Sequence, residues 1–198
     1  MEVRSVALEI IDAVKASIKA IKEEEVRAVL EALVEAYRKG NQIIVVGMGR
    51  SGLVARSFAM RLMHLGYDIH VVGETITPAM HEGDILFAIS GSGTTTFVVA
   101  AADIARKAGG RVIALTSYPE SALGKLSHLI VRLPGRTKRE VRKNYFSRQI
   151  FGNHEPLAPL GTLFEIASQV FLDGLITDLM KELGKTEEEL AKRHATIE

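Results

Sequence analysis

The chain of 198 residues has no cysteine. That absence excludes a disulfide framework, a thiolate metal site and a cysteine nucleophile together. It is also compatible with a reducing cytoplasm, which is where we expect the protein to work. Charge of one sign is equally lacking. Lys plus Arg number 25 against 24 Asp plus Glu, a formal net charge of +1, so the balance gives no reason to expect a nucleic-acid partner. Met1 to Glu9 alternates charged and apolar residues and has no signal-peptide core. No apolar run is long enough to span a bilayer.

What remains is a normal globular mixture, 47% hydrophobic and 25% charged, of a length that suits one domain over 1–198. Residues 1–40 read as a helical region. Val3, Val6, Ile10, Val14, Ile18 and Ile21 form one stripe, and Lys22-Glu23-Glu24-Glu25 interrupts it. Val26, Val29, Leu30, Leu33, Val34 and Tyr37 resume it, and Gly40-Asn41 is a stop. Over 41–183 the pattern alternates. Short apolar runs at 43–46, 69–72, 85–89, 112–115 and 129–133 read as buried strands. Helical patterns at 53–65, 95–108 and 162–183 follow or separate them. The expectation is an α/β protein with a five-stranded parallel sheet covered on both faces. In the last part, 184–198, Thr186 and Glu189 have capping-box spacing for a short final helix. Pro134 to Pro159 is a basic, punctuated connection. It is read as a segment that helps collect an anionic substrate, or as a plain solvated one.

Two turns carry the chemistry. Gly47-Met48-Gly49-Arg50-Ser51-Gly52 satisfies G-x-G-x-x-G between a strand and a helix, the context of a dinucleotide fingerprint. Glu74, after the second strand, stands near the place of a ribose-binding carboxylate. A nicotinamide-dependent oxidoreductase is therefore one reading. The second turn, Ser90-Gly91-Ser92-Gly93-Thr94-Thr95, lies after the third strand and opens another helix. Glycines at 49, 91 and 93 admit a close anion, hydroxyls add hydrogen bonds, and the helix N-terminus behind adds partial positive charge. Two such turns at the carboxyl ends of parallel strands would meet in one crevice, a cradle for a single phosphate. Turn and capping chemistry alone is the plainer account of the same residues.

The pair Gly47-x-Gly49-x-Ser51-Gly52 and Ser90-x-Ser92-Gly93-x-Thr95 resembles the double signature of sugar isomerase (SIS) domains, flavodoxin-like sheets that bind phosphosugars. Three further stretches resemble the 6-phospho-3-hexuloisomerases of that family: Val72-Gly73-Glu74-Thr75-Ile76-Thr77-Pro78-Ala79, Pro159-Leu160-Gly161-Thr162-Leu163-Phe164-Glu165 and Ala191-Lys192-Arg193-His194-Ala195. The likeness to arabinose 5-phosphate and phosphoheptose isomerases is looser. The resemblance implies phosphate binding by Ser51, Ser90, Ser92 and Thr95. It implies catalysis by Glu165 as base with His194 as a second proton-handling group. A homo-oligomer, a tetramer by the same likeness, would let His194 reach a neighbouring subunit's site. Functional coupling to a 3-hexulose-6-phosphate synthase is implied as well. Arg50, Glu74, Thr77 and Glu155 are further substrate-binding candidates.

The implied reaction interconverts D-arabino-3-hexulose 6-phosphate and fructose 6-phosphate through a 2,3-enediol(ate). It needs a positioned base and no metal or redox cofactor. His64, His70, His81, His128 and His154 have no ligand spacing. A non-catalytic phosphosugar sensor of the same fold, and another aldose–ketose isomerase, are the alternatives.

Overall fold

The computed structural model describes residues 3–135, 159 and 161–196. Two helices come first, α1 (Val3–Lys19) and α2 (Glu23–Lys39). The acidic run that interrupts the apolar stripe is the first turn of α2, where Glu23, Glu24 and Glu25 complement the helix dipole. Gly40, at φ +70°, takes the left-handed conformation that stops α2. The chain then alternates through β1 (Ile43–Gly47), α3 (Arg50–Leu65), β2 (Ile69–Val71), β3 (Ile85–Ile89), α4 (Thr96–Lys107), β4 (Arg111–Thr116), α5 (Ala122–Leu126) and β5 (Leu129–Arg132). It closes with α6 (Thr162–Glu182) and α7 (Glu187–Ala191). The capping box expected at Thr186 and Glu189 is formed.

The sheet is wholly parallel, in the order β2-β1-β3-β4-β5. Alternate residues of each apolar run go to opposite faces, as the strand period requires. Ile43, Val45, Ile85, Phe87, Ile113 and Leu115 join the core under α1, α2, α3 and α6. Ile44, Val46, Leu86, Ala88, Val112 and Ala114 join the core under α4 and α5. Both faces are covered, so strands with no polar alternation are the stable solution. From β1 the chain turns outward to β2, and then returns to place β3 on the other side. The β1/β3 border is thus the switch point where such sheets open a crevice. Gly47 is paired with Ile89, so the loops after β1 and β3 leave the sheet at the same level.

At the opposite end of these strands, buried Asp84 ties the sheet to its entry loops. Its carboxylate accepts from the Gln42 amide at 3.1 Å, the Gln42 side-chain Nε2 at 2.8 Å and the His81 amide at 2.7 Å. Asp84→Ala should lower stability by about 2–4 kcal/mol, because it strands several donors at once. Asp84→Asn, which keeps an acceptor, should lose visibly less. Equal unfolding midpoints for the wild type and the alanine variant in a denaturant titration would refute this.

Candidate active site

The crevice at the β1/β3 border is where the sequence motifs meet. It has a volume of about 230 Å³. Its base is formed by Ser51 and by Ser90, Gly91, Ser92 and Thr95 from the two loops. Gly161, Phe164 and Glu165 close it from the start of α6. The start of α3 is a tight fit. A Cβ on Gly47 would stand 2.5 Å from the Ser51 carbonyl oxygen, and Gly49 precedes the helix at φ +57°. These two glycines bring the Ser51 hydroxyl to the first turn of α3, not to a loop ahead of it.

The second loop is arranged the same way. Thr95 is the N-cap residue of α4 but makes no side-chain cap. Its hydroxyl lies 3.1 Å from the hydroxyl of buried Ser90. Ser92 Oγ accepts from the Thr94 amide at 3.3 Å. Gly93, at φ +61°, does not line the crevice; a side chain there would collide with Ser121 of the turn before α5. The first turns of α3, α4 and α6 all lack a side-chain cap. Hydroxyls and uncapped helix starts on one small crevice make a surface chemically suited to an anion.

Glu165 is the crevice's carboxylate. Gly161 makes its place: at φ +93°, a Cβ there would be 2.9 Å from Glu165 Oε1. Arg50 Nε stands 2.6 Å from Glu165 Oε2, an ion-pair distance without the alignment of a hydrogen bond. The side chains are 55% and 14% exposed respectively. Burial raises the Glu165 pKa above the ordinary carboxylate value, and the Arg50 charge opposes but does not cancel the rise. A carboxylate that is ionised yet more basic than usual suits proton abstraction from carbon.

Besides Gly49 and Gly93, which do not line it, three sequence-predicted residues are not brought to the crevice of their own chain. Glu74 is not among the residues lining the crevice and forms an ion pair with Arg56 of α3. The Thr77 hydroxyl lies 2.6 Å from the Val71 carbonyl and 2.8 Å from that of Glu74, so it shapes the turn after β2. His194 stacks on buried His64, ring centroids 4.0 Å apart, at the C-terminal end of α3. At 1.5 Å per residue that end is about 20 Å from Ser51. Glu155 and most of the basic connection lie outside the described residues.

The other histidines have local roles. His128 Nδ1 accepts the Val112 amide at 2.8 Å, and burial lowers its pKa. His70 pairs with Asp68. Among the described residues no group of three or more His, Asp or Glu could hold a metal ion. Sequence reading missed Gly161 as a site residue. Its signal was a glycine directly before a helix start and one turn before an acid.

Comparison with known proteins points to one family. The SIS domain model matches residues 36–145. A protein of Aeropyrum pernix, named only as uncharacterized, is 52% identical over 92% of this chain and 86% of its own length. The 3-hexulose-6-phosphate isomerase of Bacillus subtilis is 40% identical over 85% of this chain and 86% of its own. A crystal structure of a Methanococcus jannaschii protein, from which that same isomerase function was inferred, superposes with a TM-score of 0.73. It is 32% identical and covers 98% of this chain and 97% of that one.

Proposed function

The chain belongs to the SIS domain family, and from that premise we propose that it is a 6-phospho-3-hexuloisomerase. It interconverts D-arabino-3-hexulose 6-phosphate and fructose 6-phosphate. The observation that carries this reading is one small crevice holding both a hydroxyl-lined anion cradle and a carboxylate of raised basicity. Curated relatives with the isomerase name support the choice of substrate.

The phosphate is held by Ser51, Ser90, Ser92 and Thr95. Glu165 takes the proton from C2 of the 3-ketose, and the electron pair moves into the C2–C3 bond as the C3 carbonyl becomes an enediolate oxygen. Return of the proton to C3, with the O2 proton transferred to O3, leaves the carbonyl at C2. No atom is gained or lost, and the phosphate stays attached throughout.

His194 is the second proton-handling group, supplied by a neighbouring subunit. Leu53, Met60 and Met63 on α3, with Phe97 and Ile104 on α4, are exposed apolar side chains that support self-association, with a homotetramer as the expected form. Mixing inactive Glu165→Gln and His194→Ala subunits under exchange conditions should then restore turnover; no restoration would overturn the supply of His194 by a neighbouring subunit. Among the described residues no helix is long and apolar enough to cross a membrane, and we place the enzyme in the cytoplasm beside a 3-hexulose-6-phosphate synthase.

A coupled assay tests the reading. Ribulose 5-phosphate and formaldehyde are condensed by a separate synthase, this protein is added, and fructose 6-phosphate is followed. Rapid protein-dependent formation is expected. Its absence, with fructose 6-phosphate still raising the melting temperature, would keep the cradle and refute the substrate.

A further inference from the structure

Arg50 has a contact that neither phosphate binding nor proton abstraction explains. It is the first residue of α3, directly before Ser51 of the cradle, yet its guanidinium lies against Glu165. A cation at 2.6 Å holds a carboxylate ionised but makes it a poorer base. Kept there through the reaction, Arg50 would oppose the burial that makes Glu165 useful.

Arg50 also has a better partner in prospect. A guanidinium offers five N–H donors in a planar fork and matches a phosphate at least as well as a carboxylate. Its side chain is more than half exposed, so it is free to swing. Among the described residues it is the charged group that faces Glu165. The lining that comes from the loops after β1 and β3 and from α6 itself is neutral: Met48, Ser51, Ile89, Ser90, Thr95 and Phe164. Once Arg50 leaves, no other described charge takes its place beside the carboxylate.

We propose that Arg50 is an exchangeable partner: it pairs with Glu165 in the empty crevice, and an incoming sugar phosphate draws it onto the phosphate, leaving the carboxylate free to take the C2 proton. The exchange rests on the reading of Glu165 as base. It gives the empty site a neutral pair in place of a bare buried charge, and it couples occupation of the cradle to release of the base. Arg50 is a positioning residue in this scheme, and the proton is carried by Glu165.

Two measurements separate this from a fixed pair or a bystander. The acid limb of kcat/KM reports the free enzyme and that of kcat reports the complex. In Arg50→Gln the limb of kcat/KM should move to higher pH, since the opposing charge is gone from the empty site. The limb of kcat should stay, since Arg50 has already left Glu165 in the complex. Arg50→Lys should lie between. Both limbs moving together would overturn the exchange in favour of a pair kept through turnover; neither moving would make Arg50 a bystander and overturn it too.

The second measurement does not depend on turnover. A crystal structure with inorganic sulfate in the cradle should show the guanidinium on the sulfate and the contact with Glu165 broken. Sulfate bound with that contact intact would overturn the proposal. Should the coupled assay fail while sulfate still draws Arg50 away, the exchange stands and the isomerase reading falls. Turnover with an unbroken pair gives the reverse.

Discussion

Glu165→Gln should reduce kcat by about 10²–10⁴-fold, the usual contribution of a positioned general base. Affinity for fructose 6-phosphate should stay within a few-fold of the wild type. The amide has the volume of the carboxylate, so the place left open by Gly161 is still filled. It cannot accept a proton from carbon. The proposed phosphate cradle comes from other elements, the loops after β1 and β3. The expected signature is therefore a fall in kcat with KM nearly constant. Turnover near the wild-type rate would remove Glu165 from the reaction.

The same substitution carries a stability test whose sign follows from linkage. Burial raises the folded-state pKa of Glu165 above its unfolded value. Such a group favours the folded state most at pH below the unfolded pKa, and that advantage is lost as pH rises through the folded pKa. At neutral pH the ionised carboxylate is a net cost, so Glu165→Gln should melt no lower than the wild type there. The difference should shrink as pH falls towards the ordinary carboxylate range. A lower melting temperature at neutral pH would mean that the Arg50 pair outweighs burial. The acid limb of kcat/KM should likewise lie above the ordinary glutamate value, with activity lost as Glu165 gains its proton.

Much of the fold was legible because the strands are buried on both faces. Ile43-Ile44-Val45-Val46 and Ile85 to Ile89 read as strands without any alternation to help. The helix at Glu23 to Lys39 was legible as a resumed stripe, since its acidic first turn and the Gly40 stop are local signals. By contrast, α5 was not foreseen. Its five residues are too few for a period, and its main local signal is Ser121, whose hydroxyl accepts the Gly124 amide at 3.2 Å. The start of α3 was read at Leu53 and lies at Arg50. Gly49-Arg50-Ser51-Gly52 has the composition of a turn, but the positive φ of Gly49 ends the turn early. The hydroxyls that line the crevice could be named from the two motifs. The Arg50–Glu165 contact could not, because it joins helix starts that are distant in sequence and meet only through the sheet.

Gly47→Ala should weaken phosphosugar binding by about 10–100-fold, comparable to losing one hydrogen bond to a charged group. The residue ends β1, and its ladder partner Ile89 fixes its position from one side. A Cβ there would meet the Ser51 carbonyl oxygen at 2.5 Å, the Ser51 carbonyl carbon at 2.7 Å and the Gly52 amide nitrogen at 2.9 Å. All three are backbone atoms, so no rotamer change relieves the contact, and β1 is held by β2 and β3 on its two edges. The start of α3 is the part that must move. That shift carries Ser51 and Arg50 away from Ser90 and Thr95, which stay with β3 and α4. The loss should appear mainly in KM, because Glu165 is held by α6 and keeps its place. Some stability should be lost as well, read as a lower melting temperature. The converse control is Gly174→Ala, in the middle of α6, where a Cβ meets nothing within 4 Å. It should leave KM unchanged and, by favouring helix, stabilise the fold by about 0.5–1 kcal/mol. An unchanged KM in Gly47→Ala would mean that phosphate is not held between the ends of β1 and β3.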